Sequence, residues 1–114
     1  MIDCSKEIKQ ALQTILPTYY EMRLSSDTET PCISYQERSN TAQEYSETLE
    51  YSRISYTIKV WGYELEQLNT YAKQIDDKLR PMGWKRTGAQ ELYSYQSALI
   101  QKILTYEALA IEEK

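Results

Sequence analysis

The stretch Leu49-Glu50-Tyr51-Ser52-Arg53-Ile54-Ser55-Tyr56-Thr57-Ile58-Lys59-Val60-Trp61 decides the fold. Ile54, Tyr56, Ile58 and Val60 alternate with Arg53, Ser55, Thr57 and Lys59, so one side is β-branched or aromatic and the other polar. A period of two predicts a strand with one buried and one wet face. Beyond Gly62 the period changes: Leu65, Leu68, Ala72, Ile75 and Leu79 recur at three- and four-residue spacing, which predicts a helix over about 64–80. Glu64 and Glu66 suit the positive end of its dipole and Lys78 and Arg80 the negative end, and Pro81 with Gly83 stops it. Because Ile75 and Leu79 point inward, Asp76 and Asp77 are both expected to project toward solvent, away from any catalytic environment.

Upstream, Cys4, Ile8, Ala11, Leu12 and Ile15 share one helical face, with Asp3 or Ser5 available as cap and Pro17 as stop. Tyr20, Met22 and Leu24 then alternate with Tyr19, Glu21 and Arg23, as in a strand. A polar turn over 25–31 leads to a short strand over 32–36, with Ile33 and Tyr35 as its apolar face. Residues 37–48 lack apolar periodicity and read as an exposed loop or hairpin tip. Downstream, 84–87 reads as a strand, 88–97 as a connection and 98–108 as a last strand. Ile100, Lys102, Leu104 and Tyr106 occupy one face of that strand, and Leu99, Gln101, Ile103 and Thr105 the other. Aliphatics on both faces suggest helices on one side and another subunit on the other. Glu112 and Glu113 read as a frayed charged end. The order α-β-β-β-α-β-β over a single domain, 1–114, describes an α+β fold: an antiparallel or mixed sheet of about four to five strands with two helices packed on one face.

Composition removes several chemistries. The chain has no histidine, so His-dependent nucleophilic pairs and imidazole metal sites are excluded within it. Three dispersed glycines exclude a Gly-rich phosphate loop. With 13 Lys+Arg against 17 Asp+Glu the net charge is −4, which argues against sequence-specific nucleic-acid binding. No apolar run is long enough to span a membrane, and the acidic N-terminal stretch lacks a signal-peptide pattern, so the chain reads as cytoplasmic unless an assembly carries it elsewhere. Cys4 and Cys32 read as small buried hydrophobes. The remaining acid groups, Asp76-Asp77, Glu112-Glu113 and Glu44-Glu47-Glu50, carry no cation-loop motif. The expectation is no catalytic residue, no metal, no cofactor and no enzyme activity.

Tyrosine is the conspicuous residue type, at 11 positions with no phenylalanine. Tyr20, Tyr35, Tyr56 and Tyr106 fall on apolar faces and stand in for phenylalanine in the core or at its edge. Tyr45, Tyr51, Tyr63, Tyr93 and Tyr95 lie in or beside polar segments, where a large ring with one wet end suits protein contact.

Several strings and their order complete the reading: Pro31-Cys32-Ile33-Ser34-Tyr35, Tyr56-Thr57-Ile58-Lys59-Val60-Trp61-Gly62, Ile75-Asp76-Asp77-Lys78-Leu79, Met82-Gly83-Trp84-Lys85-Arg86-Thr87 and Glu91-Leu92-Tyr93. Over 8–110 the chain resembles the small tail-terminator, or tail-completion, proteins of long-tailed bacteriophages and prophages. It departs from them at Gln101-Lys102, where histidine is often found, and at Trp84, where phenylalanine is. The resemblance implies a head-tail joining protein of the virion, assembled in the bacterial cytoplasm. It would form a homo-oligomeric ring, usually a hexamer, that caps the tail tube, stops its growth and meets the head-neck connector.

Six chains at −4 would surround the passing DNA with a charge of about −24, letting it slide without specific binding. Asn40, Glu44, Tyr45, Glu47, Glu50 and Tyr51 are the candidate loop facing the lumen or tube. Tyr93, Tyr95, Leu99, Gln101 and Ile103 are the candidate subunit interface. Another neck component, or a cytoplasmic protein-binding adaptor, remains the alternative; no membrane partner is expected.

Overall fold

The structure is a computed structural model that describes residues 1–25, 27–45 and 47–113, the side chains of Gln43, Glu44 and Tyr45 excepted. The strand signal at residue 49 holds along its length: β3 (Leu49–Gly62) is the centre of a mixed five-stranded sheet. Its neighbours are β2 (Cys32–Tyr45) and β5 (Ile100–Glu113), both antiparallel to it. β1 (Thr18–Tyr20) pairs parallel with β2, and β4 (Lys85–Tyr93) pairs antiparallel with β5, giving the order β1-β2-β3-β5-β4. α1 (Ser5–Gln13) and α2 (Leu65–Leu79) pack on one face, so the fold is α+β in the expected order.

Burial follows the two periods. Ile54, Tyr56, Ile58 and Val60 meet Ile8 and Leu12 of α1 and Leu68, Ile75 and Leu79 of α2 in one cluster, all but Tyr56 with no exposed surface. Tyr56 stands edge-on to Trp84 with ring centroids 5.6 Å apart, a favoured aromatic geometry. At the start of α1, Asp3 accepts the Ser5 backbone N–H at 2.9 Å, satisfying one of the free donors there. The helix ends at Gln13, one turn before Pro17. At the end of α2, Gly83 takes the left-handed φ of 96° that turns the chain into β4. Gly62 is required by approach: a Cβ there would lie 2.9 Å from the Leu68 side chain.

Four expectations are corrected. Residues 37–45 are strand, paired with β3 and carrying register shifts at Glu37/Ser39 and Ala42/Glu44. Each bulge moves the inward set by one residue, from Ile33, Tyr35 and Glu37 to Asn40 and Ala42, and so erases the alternation. A shift at Arg86/Gly88 does the same to β4, which runs on to Tyr93 through the expected connection. The strand after Pro17 stops at Tyr20 and a turn of 3₁₀ helix, Glu21–Arg23, follows, where Glu21 ion-pairs with Lys59 at 2.6 Å. Glu112 and Glu113 are not frayed: they pair with Glu50 and Leu49.

The sheet outruns its helices. Fourteen strand residues at about 3.4 Å rise extend about 46 Å, whereas the 15 residues of α2 at about 1.5 Å reach about 22 Å. The radius of gyration, 15.2 Å, exceeds the about 13 Å of a compact chain of this length, and the long axis is 53 Å. The far ends of β2, β3 and β5 therefore form a three-stranded arm beyond the helical layer.

Leu68→Ala is expected to lower the unfolding free energy by about 3 kcal/mol. Gly62→Ala is expected to cost about 1–2 kcal/mol in the native background and much less when Leu68 is already alanine, since the opposing methyl is gone. A double-mutant cycle from urea midpoints checks this coupling.

Candidate functional site

The arm carries most of the first candidate group. Asn40 faces the helical side, opposite Ile54, and donates through Nδ2 to the Ile2 carbonyl at 2.7 Å and to Glu37 at 3.0 Å. Glu50, on the same side, lies 3.4 Å from the Met1 amino group. Both residues thus fasten the N-terminus beneath the arm. Tyr51 is half-buried on the opposite, helix-free face, and Glu47 is exposed where β2 turns into β3. The side chains of Glu44 and Tyr45 lie outside the described residues. The expected loop is therefore strand as far as Tyr45, and Glu50 is already paired with the N-terminus.

The second candidate group divides. Tyr93 and Tyr95 form an exposed edge-to-face pair, centroids 5.2 Å apart, at the β4–β5 connection, where Tyr95 is 93% exposed. Leu99 lines a cleft of about 360 Å³ with Leu24, Cys32, Trp61 and Tyr63. Gln101 is half-buried and opposes Trp61. Ile103 is buried within its own chain, on the helix-free face beside Lys59 of β3. The helix-free face is held at this end by a small polar network. Trp61 donates to the Ser34 hydroxyl at 2.9 Å, and Lys59 sits 5.7 Å over the Trp61 ring while it pairs with Glu21.

Asp76 is a correction. Its carboxylate accepts the Tyr106 hydroxyl and both oxygens lie 3.2 Å from Arg86 Nε, with Arg80 at 3.5 Å. The residue borders the apolar stripe, four after Ala72 and three before Leu79, so the spacing carried the signal. This network ties α2 to β4 and β5. Burial first, and the Asp76 hydrogen bond second, push the Tyr106 hydroxyl pKa well above the usual tyrosine range. Burial likewise raises Tyr56 and Tyr35.

Cys4 and Cys32 are free and buried, and burial raises both thiols, which disfavours the nucleophilic thiolate. Among the described residues no group of three or more His, Cys, Asp and Glu is placed to hold a metal ion, and no helix is long and apolar enough to cross a membrane. The chain matches no protein-family model, and no curated protein matches it. The exposed large apolar side chains include Leu109 and Ile111 on β5 and Leu92 and Tyr93 on β4, beside others elsewhere such as Met22 and Tyr63.

The buried tyrosines set an alkaline limit. Above about pH 10 the unfolded chain releases tyrosine protons that the native state keeps, so stability falls as pH rises, by about 1.4 kcal/mol per pH unit for each such tyrosine. Tyr106→Phe is expected to cost about 1–2 kcal/mol at pH 8 through the lost bond to Asp76, and to flatten the decline between pH 10 and 12 by one tyrosine's share. Urea titrations at pH 8, 10 and 11 check both effects.

Proposed function

We propose that this chain is a structural assembly protein of the tail-terminator type, forming a ring that caps a tail tube, stops its growth and joins it to the head. The observation that carries the reading is the three-stranded arm, which projects past the helical layer with apolar side chains and strand edges uncovered. A chain that acts alone gains nothing from such an arm, whereas a ring subunit needs two different contact surfaces. The helix-free face with Leu109 and Ile111 supplies one, and the exposed Tyr93–Tyr95 pair supplies the other. The order of the strings resembling tail terminators supports the same class.

In this reading Glu47, Glu112 and Glu113 at the arm's end, which make no ion pair among the described residues, face the channel and keep DNA from adhering, while Glu50 holds the N-terminus. The tube protein and the head-neck connector are the proposed partners, and the virion neck is the proposed location. A second reading is favoured by one feature, the uncovered edge of β5, which suits an adaptor that accepts a strand from another protein.

Negative-stain microscopy of the purified protein, alone and mixed with cognate tail tubes, separates them. Tubes capped by end-on rings are expected, with overlong tubes when the protein is withheld. Tubes that stay uncapped at saturating protein would overturn the assembly reading and leave the adaptor.

A further inference from the structure

β4 is shorter than β5, and that difference leaves a step in the sheet. β4 pairs with β5 from Ile100 to Glu107 only, while β3 pairs with the other edge of β5 as far as Glu113. From 108 to 113 the outer edge of β5 has no strand beside it, and no further backbone hydrogen bond reaches it among the described residues. Of the other outer edges, β1 is only three residues long, and the uncovered part of β2 and the edge of β4 are blunted. β2 carries two bulges with Glu37 and Arg38 at the first, and β4 carries a bulge with Lys85, Arg86 and Glu91 along it. Bulges and charges are what keep a strand edge from pairing. β5 has no register shift against β3 over its full length, and Leu109 and Ile111 on its free part are 57% and 58% exposed.

We propose that this free edge pairs antiparallel with the same edge of a second copy, about a two-fold axis through Ala110. Ala110 then faces its own counterpart, Leu109 faces Ile111 of the other copy, and Ala108 faces Glu112 of the other copy. Opposed residues share a face, so both copies keep their helices on one side of a continuous sheet, and four aliphatic side chains cluster on the helix-free side. The steps fit each other: the second copy's strand fills the column that β4 vacates, and the reverse holds across the axis.

Charge agrees with this register. The pairing brings Glu113 of the second copy to the start of β4 on the helix-free side, at a notch of about 300 Å³ lined by Arg53, Gly83, Lys85, Glu107 and Leu109, while Glu112 lies on the helical side opposite Ala108. Arg53 there is already paired with Glu107 at 2.5 Å, whereas Lys85 has no ionic partner among the described residues. A two-fold pair also closes the edge, which otherwise templates open-ended addition. In a ring of cyclic symmetry this edge would meet a different surface, so the pair goes beyond the tail-terminator reading and is a state of the free protein.

Ala110→Cys tests the axis. Directly opposed antiparallel residues have Cα atoms about 4.5–5.5 Å apart, within disulfide reach. Mild oxidation is expected to give a covalent dimer of Ala110→Cys on a non-reducing gel, and none for the wild type, whose two cysteines are buried, or for Ala42→Cys on the β2 edge. Light scattering is expected to give twice the chain mass for the wild type and the single chain mass for Ile111→Lys, with unchanged far-ultraviolet circular dichroism. An Ala110→Cys protein that stays unlinked, a linked Ala42→Cys, a wild type at single mass or an Ile111→Lys dimer would each overturn the proposal. Rings on tubes with Ala110→Cys unlinked would remove this pair and keep the assembly reading; linked dimers with tubes uncapped would do the reverse.

Discussion

Everything in this fold depends on β3 having both of its edges hydrogen-bonded over its whole length. Buried backbone donors and acceptors need partners, and a 14-residue strand in the middle of a sheet can find them only if two other long strands run beside it. β2 and β5 do so from Trp61 to Glu50 and from Gly62 to Leu49. The length of β3 thereby sets the length of its neighbours. It draws 37–45 and 108–113, which have little apolar pattern of their own, into extended structure.

The helical layer answers to a different length. α1 and α2 cover only the stretch where β3 presents Ile54, Tyr56, Ile58 and Val60, because those residues supply the apolar surface worth covering. Past Ile54 the inward positions are Ser52 and Glu50, and what fills the space is the N-terminus, held by Asn40 and Glu50. The arm is the remainder of a sheet longer than its core, and its exposed edge and aliphatics follow from that mismatch. The Asp76–Tyr106–Arg86 network marks the other border of the core, where α2 leans on β4 and β5 with a polar group satisfied from both.

How much of this was legible depended on whether a period ran unbroken. The regular strand around Ile54–Val60 and both helices were readable because side chains at periods of 2 and 3.6 face one way. β2 and the later half of β4 were not, since each bulge shifts the phase and a phase-shifted strand resembles a loop in composition. The candidate residues fared likewise: Tyr93 and Tyr95 are exposed as their polar setting implied, whereas Ile103 is buried by its own chain. Asp76 departs from the solvent-facing expectation because it borders the apolar stripe between Ala72 and Leu79, on the side where Tyr106 of β5 and Arg86 of β4 meet α2. Leu109 and Ile111 carry no signal in the sequence, since two aliphatics in a strand mean little until the edge beside them is seen to lack a neighbouring strand.

By itself the sequence determined the α+β class, the element order and the identity of the core, because those rest on local periodicity and on which side chains water excludes. The absence of histidine and of glycine loops likewise bounded the available chemistry at the level of composition. Only the tertiary structure decided the strand order, the bulges, the projecting arm and the bare edge of β5. Those are relations between segments distant in the chain, set by hydrogen-bond pairing and by the unequal lengths of strand and helix, and no local pattern encodes them.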